Sequence, residues 1–275
     1  MINFNGIIES ENKLTLSINN RAFKFGDGLF ETIKVEQGKI AFAEDHYFRL
    51  MASMRMLRMD ISMKFTLEFF IQEIFRTIEA NKLTNARVRF TIYRNGNGLY
   101  LPEDNTTSYL IEANQLSYNL KKSYEIDLFK DYYINSGMLS TLKTNNKILN
   151  VIANIYADEN GLDNCILLNE KKQIVEAINS NIFIVKGNDI FTPALSEGCL
   201  KGIVRKNVIS IIKHLPDYDI HETAISPFEL QKADEVFLTN TIVGIQPVSK
   251  YRKKIFKISL ARSIHDKLRI LENLS

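Results

Sequence analysis

The sequence predicts a mixed α/β (α+β) protein in two parts, and three observations carry this. Short apolar runs with a period of two alternate with amphipathic stretches of helical spacing in both halves of the chain. A polar segment, Ser117 to Glu125, separates the halves and is the best linker candidate. The length of 275 residues suits one large domain or two of moderate size.

The elements follow in order. Asn5-Gly6 is a hairpin signal, and Leu29 to Val35 followed by Gln37-Gly38 reads as strand and turn. A helix comes next: Phe48, Met51, Met54, Met56, Leu57 and Met59 lie near helical spacing, and Glu44-Asp45 sits in the first turn, where acids suit the dipole. Its methionines suit an adaptable core face better than a binding groove. A second helix is predicted from Thr66 to Ala80, with Leu67, Phe70, Ile71, Ile74 and Ile78 on one side. Val88, Phe90 and Ile92 then alternate with Arg87, Arg89, Thr91 and Arg94, which predicts a strand with a polar or ligand-facing side. Thr107 to Ala113 reads as its returning partner.

Past the linker, a helix is predicted at 146–159, with strands at Cys165–Leu168, Ile182–Val185 and Ile190–Thr192. A helix after Gly202, a short one after Ser226-Pro227, a strand at Val236–Thr239 and a last helix at Ile255–Leu271 complete the chain. No internal repeat or low-complexity tract is visible.

Composition excludes several classes. Hydrophobic residues make up 45% and charged residues 24%, and 35 Lys+Arg against 32 Asp+Glu leave +3. Disorder requires fewer apolar residues and more net charge. A balance this weak gives no electrostatic footprint for nucleic acid, and the one basic run, Lys250 to Lys254, reads as a solvated turn. No apolar run approaches the ~18 residues of a membrane helix. The N-terminus shows no basic segment leading into an apolar stretch, so no secretory signal is expected. Two cysteines, Cys165 and Cys199, are too few for a disulfide framework or a zinc site and read as buried or idle thiols; a cytoplasmic location is expected. The four histidines (46, 214, 221 and 265) have no metal-binding spacing, and His46 at a helix start reads as structural.

Two helix starts could carry chemistry. Glu197 to Arg205 places glycine just before an amphipathic helix, where backbone N–H groups and the dipole can hold a phosphate; a plain loop-to-helix junction is the alternative. Arg49 stands between Phe48 and Leu50. On the buried side it wants a carboxylate or phosphate, and otherwise it is a surface residue.

Several segments become informative together. Arg21-Ala22-Phe23-Lys24-Phe25-Gly26-Asp27-Gly28-Leu29-Phe30-Glu31-Thr32 resembles the opening motif of the class IV aminotransferases, the fold-type IV pyridoxal-phosphate enzymes. Asp45 to Ser53 is similar to the family's His-x-x-Arg-Leu-x-x-Ser helix. Leu142-Lys143-Thr144-Asn145-Asn146, Val175 to Phe183, Thr192-Pro193, Gly202-Ile203 with Arg205, and Ala233 to Val248 follow in the family's order. The ordered set covers nearly the whole chain.

The resemblance implies site residues. Lys143 matches the lysine that holds pyridoxal 5'-phosphate as a Schiff base; a cationic pyridinium nearby would depress its pKa and free the amine as nucleophile and base. Glu176 matches the carboxylate that pairs with the pyridine nitrogen. Arg49, the N–H groups of Ile203 and Val204, and Thr241 match the phosphate cup, which suits a dianion. Arg94 and Arg89 on the predicted strand are candidate grips for a substrate carboxylate, and Phe30 stands where D-amino-acid aminotransferases carry a tyrosine. The implied architecture is that of the D-amino-acid aminotransferase-like enzymes. A smaller α/β domain would span residues 1–117 and a larger one, carrying Lys143, residues 118–275, with the cofactor in the cleft between them. Family members are usually homodimers, and the implied partner is a small amino or carboxylate substrate.

Within the family, Thr239-Asn240-Thr241-Ile242-Val243-Gly244-Ile245-Gln246-Pro247-Val248 looks most like the Thr-Asn-x-x-x-Gly-Val-x-Pro-Val stretch of 4-amino-4-deoxychorismate lyases. Those enzymes release pyruvate and form 4-aminobenzoate, a folate precursor. Branched-chain L-aminotransferases usually carry a tyrosine where this chain has Ile148. An aminotransferase on D-amino acids or branched-chain L-amino acids is the alternative reading, and a non-catalytic cofactor-binding relative a more remote one.

Overall fold

In the computed structural model, which describes residues 1–274, Asn5 and Gly6 both adopt positive φ, 50° and 86°. This backbone twist joins two antiparallel strands tightly. Strands β1 (Ile2–Phe4) and β2 (Ile7–Glu9) flank that turn. A short helix α1 (Arg21–Phe25) leads into β3 (Gly28–Glu36), which Gln37-Gly38 turns back into β4 (Lys39–Ile40). Helices α2 (Ala43–Met56) and α3 (Leu67–Ala80) precede β5 (Ala86–Arg94) and β6 (Thr107–Gln115). Thr66 caps α3 by accepting the N–H of Phe69 at 3.2 Å.

These elements form a first unit, Met1–Ser117, to which Lys143–Asn146 also belongs. Its antiparallel sheet has the order β2-β1-β6-β5-β3-β4. The register pairs Leu29 with Ile92, Ile33 with Val88 and Phe90 with Ile111, so these apolar side chains share one face. Phe70 of α3 packs on Phe90 with ring centroids 4.9 Å apart. Alternation then assigns Phe30, Thr32, Arg87, Arg89 and Thr91 to the opposite face. Of the four methionines near α2, Met54 and Met59 are buried in the core while Met56 is exposed.

The second unit comprises Tyr118–Leu142 and residues from Lys147 onward. Its strands are β7 (Glu125–Leu128), β8 (Asn164–Leu168), β9 (Ile174–Ala177), β10 (Asn181–Lys186), β11 (Asp189–Pro193), β12 (Asp219–Thr223), β13 (Glu235–Asn240), β14 (Gly244–Val248), β15 (Lys250–Tyr251) and β16 (Lys254–Ile255). Its helices are α4 (Ile148–Glu159), α5 (Ile203–Lys213), α6 (Glu229–Lys232) and α7 (Ser259–Leu274). Two five-stranded sheets result, β12-β11-β10-β13-β14 and β16-β15-β7-β8-β9. Ile126, Ile166 and Leu168 of one and Ile182, Ile184, Val236 and Leu238 of the other belong to one buried cluster. Among the described residues no helix is long and apolar enough to cross a membrane.

Three differences from the sequence reading have physical causes. The helix predicted from residue 146 begins at Ile148, because the preceding segment pairs with β3: Phe30 N–H donates to Lys143 O at 2.9 Å and Asn145 N–H to Gly28 O at 2.9 Å. For the same reason Lys143 groups with the first unit, whereas residues 118–275 were expected to carry it. The basic run at Lys250 is the β15–β16 hairpin, in which Lys250 pairs with Glu125 and Arg252 with Asp127; the last helix therefore starts at Ser259.

Candidate active site

The Lys143 segment is held to β3 by backbone hydrogen bonds, and a glycine permits the approach. A Cβ on Gly28 would lie 2.5 Å from Asn145 Nδ2 and 2.9 Å from Ile92 O. Lys143 Nζ sits 4.6 Å from the centroid of the buried Phe30 ring. The Arg89 guanidinium lies over the same ring at 3.7 Å, a favourable cation–π arrangement. Arg89 Nε donates to Thr91 Oγ1 at 3.2 Å and Nη2 to Asn145 Oδ1 at 3.2 Å. Burial pushes its pKa down, with Glu112 opposing. Among the described residues Arg89 makes no ion pair, whereas Arg21, Arg49, Arg94 and Arg205 each meet a carboxylate.

Arg94, expected from the sequence as a substrate grip, is placed by the structure against groups of the fold. Its Nε donates to Asp27 Oδ2 at 3.0 Å, Nη1 to Arg58 O at 3.1 Å and to Asn105 Oδ1, and Nη2 to Leu57 O at 2.6 Å. A guanidinium has five N–H donors in a rigid fork, and this buried one is spent on the fold. Arg21 shares Asp27 and donates to the carbonyls of Asn97 and Leu99.

On the core face, Glu31 is the hub of a second cluster. Arg49 reaches it through Nε at 2.8 Å and through Nη2, and His46 Nδ1 lies 2.7 Å from Oε2. Burial alone would raise the Glu31 carboxyl, but Arg49 and His46 outweigh it and hold it at about 2. Burial lowers His46, with Glu31 opposing, so the imidazole is neutral with its proton on Nδ1. Its Nε2 is buried without a partner among the described residues. Arg49, predicted for a phosphate, thus has one edge on Glu31.

In the second unit, Glu176 is buried on β9 and its Oε2 accepts the Leu200 N–H at 2.8 Å. Lys147, at the start of α4, is charged against it; burial lowers the lysine's pKa and Glu176 raises it. Ile203 and Val204 open α5 behind Gly202, and no side chain caps that N-terminus. Gly202 is required there, since a Cβ would fall 2.0 Å from Asn181 Oδ1. Thr239 stands opposite Asn181 in the β10–β13 register, hence on the same face, and its hydroxyl is buried without a partner among the described residues. Thr241 follows in the turn that Asn240 organises: Asn240 Oδ1 accepts the N–H groups of Ile242 and Val243 at 3.0 and 2.9 Å, and Nδ2 donates to Ser180 Oγ at 3.0 Å.

The profile described as amino-transferase class IV matches residues 28–251. The chain belongs to the class IV aminotransferase family. A protein of Aquifex aeolicus provisionally named a branched-chain-amino-acid aminotransferase is 30% identical, over 89% of this chain and 82% of its own length. A D-alanine aminotransferase of Listeria monocytogenes is 26% identical, over 89% and 85%. The solved structure of a Legionella pneumophila protein, provisionally a 4-amino-4-deoxychorismate lyase, superposes with a TM-score of 0.85 at 26% identity, covering 97% of both chains.

The cofactor of class IV aminotransferases is pyridoxal 5'-phosphate, and the donor sets suit it. An uncapped helix N-terminus behind a tightly packed glycine, with the unpartnered Thr239 hydroxyl on the face of Asn181, suits a phosphate dianion. Lys143, whose Nζ lies over the Phe30 ring, carries an amine of the kind such a cofactor needs. Asn145 stands in the Lys143 motif without a role, and Lys147 lies outside every motif. Nothing local marks them, because their partners, Arg89 and Glu176, are distant in sequence.

Proposed function

We propose that this protein is a pyridoxal-phosphate enzyme that removes a proton from the amine-bearing carbon of a small carboxylate, with 4-amino-4-deoxychorismate as substrate. Lys143, Glu176, Arg49, Ile203, Val204 and Thr241 would hold the cofactor. When bound, it supplies an electron sink for the carbanion beside the substrate amine.

The chain's own residues do the rest. Lys143 Nζ takes the substrate proton and can return it to the departing enolpyruvate, so that pyruvate and 4-aminobenzoate leave. Glu176 would accept a hydrogen bond from the cofactor's ring nitrogen and favour its protonated form. Arg89, charged and met only by neutral acceptors, grips the substrate carboxylate. The buried Phe30 ring packs against both the Arg89 guanidinium and the Lys143 amine.

The observation that carries the lyase reading is the Asn240 turn. Its geometry depends on the Asn and Gly of the Thr-Asn-x-x-x-Gly stretch: Asn240 binds the turn's N–H groups, and Gly244 has φ +76°. Ile148, apolar and 66% exposed, supports it too, since that position cannot serve as a phenol donor. Transamination of D- or branched-chain L-amino acids is the second reading, favoured by the 30% identity to the Aquifex protein. Incubating holoenzyme with 4-amino-4-deoxychorismate should release 4-aminobenzoate and pyruvate in equal amounts. Bleaching of the visible cofactor band by D-alanine, L-leucine or L-glutamate, with no 4-aminobenzoate formed, would replace the lyase by an aminotransferase.

We also propose that the enzyme is a homodimer. Support comes from α4, where Ile148, Val151 and Ile155 lie at helical spacing and are more than half exposed in the single chain. Sedimentation equilibrium at twice the chain mass is expected, and a monomer at micromolar concentration would contradict it.

A further inference from the structure

We propose that Asn145 is a positioning residue for substrate recognition, setting Arg89 against the Phe30 ring that Lys143 also meets while leaving the arginine without a direct ion pair. The inference rests on the reading of Arg89 as the carboxylate grip and adds what makes that grip work.

Asn145 lies two residues after Lys143, on a segment whose backbone is fixed to β3 at the lysine carbonyl and again at Asn145 itself. Its N–H donates to Gly28 O at 2.9 Å, so the side chain leaves from a backbone that cannot drift independently of Phe30. Its Oδ1 then accepts Arg89 Nη2 at 3.2 Å. Thr91 Oγ1 takes Nε, and the Phe30 ring lies against the guanidinium plane. Three neutral groups therefore fix one planar cation. Because Asn145 and Lys143 share one short segment, the same strand pairing fixes where the lysine amine and the arginine fork point.

The neutrality of these partners is the second half of the argument. A half-buried arginine usually ends on a carboxylate, and Arg21, Arg49, Arg94 and Arg205 all do. The carboxylate nearest Arg89 in the ladder, Glu112, stands opposite it on β6 and makes no ion pair with it. An amide oxygen at position 145 orients the fork without neutralising it. A carboxylate there would do both, and substrate would have to compete with it. The amide differs from a carboxylate by one group of equal size, so the idea can be tested almost without changing shape.

The experiment compares holoenzyme carrying Asn145→Asp, Asn145→Ser or Arg89→Ala with the wild type. Calorimetry reads the binding of 4-aminobenzoate and 4-methylvalerate, each against its uncharged primary amide. The wild type should prefer the carboxylates, and Arg89→Ala should erase that preference. Asn145→Asp should weaken carboxylate binding about tenfold or more, leave the amides and the visible cofactor band unchanged, and raise KM with little change in kcat. Asn145→Ser, which loosens the fork but keeps its charge, should lose less than Asn145→Asp. Should Asn145→Asp bind the carboxylates as tightly as the wild type, or should both variants weaken carboxylates, amides and cofactor alike, the positioning role is wrong although Arg89 stands. No carboxylate preference in the wild type, or one that survives Arg89→Ala, removes the reading of Arg89 itself and this inference with it.

Discussion

Asp27 Oδ2 receives Arg94 Nε at 3.0 Å while Arg21 Nε approaches the same oxygen at 2.9 Å. One carboxylate is thus shared by two buried arginines and ties the Arg21–Gly28 motif to the end of β5. Removing Arg94 leaves Asp27 paired with Arg21 but strips the carbonyls of Leu57 and Arg58 and the Asn105 amide oxygen of their donor, and a buried acceptor left unmet costs about 1–3 kcal/mol. Arg94→Ala should lower the unfolding free energy by that order or more, and the fraction that remains folded should keep its KM for carboxylate substrates. A raised KM at unchanged stability would restore Arg94 as a substrate grip.

Glu31 offers a pH test. Its carboxyl is held at about 2 against the ordinary 4.5, so the stability it contributes is full above the upper value and is lost as pH falls toward the lower one. Glu31→Gln should destabilise the protein by about 3–5 kcal/mol at neutral pH, and its stability should fall less steeply than the wild type's between these limits. Parallel acid-unfolding curves for the two proteins would contradict the cluster described around Arg49 and His46.

Lys143 should be the point of covalent attachment. Borohydride reduction of the holoenzyme followed by digestion is expected to find a phosphopyridoxyl group on the peptide carrying Lys143, and Lys143→Ala should yield none. Modification of Lys147 instead would move the catalytic amine four residues along the chain.

Gly202→Ala should weaken cofactor binding. The new Cβ would sit 2.0 Å from Asn181 Oδ1, so either that side chain or the start of α5 must shift. Overpacking of this kind costs about 1–3 kcal/mol, which corresponds to about a tenfold or larger rise in the dissociation constant for pyridoxal phosphate. Equilibrium dialysis of apoenzyme reads it directly, and unchanged affinity would place the phosphate elsewhere.

Both cysteines should be inert in the native protein. Burial pushes the Cys165 and Cys199 thiols up to about 12, so almost no thiolate exists near neutral pH. A thiol reagent at pH 8 is expected to label neither until the chain is unfolded, when both should react. Fast labelling of the folded protein would show that one of them is exposed to solvent.

Local signals in the sequence determined a large share of this protein. The Asn5-Gly6 and Gln37-Gly38 turns, the Thr66 cap and the alternation of β5 depend on neighbours a few residues apart, and each forms where those neighbours predict. The family was legible too, because its motifs occur in order along the chain. Other features depend on contacts between residues far apart. Arg89 and Arg94 lie on one strand five residues apart, so alternation alone puts them on opposite faces. Their partners come only from the folded chain, which gives Arg94 a carboxylate and three carbonyl or amide oxygens and Arg89 an aromatic ring and two neutral acceptors. The short strands β15 and β16 and the transfer of Lys143 to the first unit were equally hidden. Whether an arginine serves the fold or a ligand is decided by the charge that burial places against it, and that partner is chosen by tertiary packing.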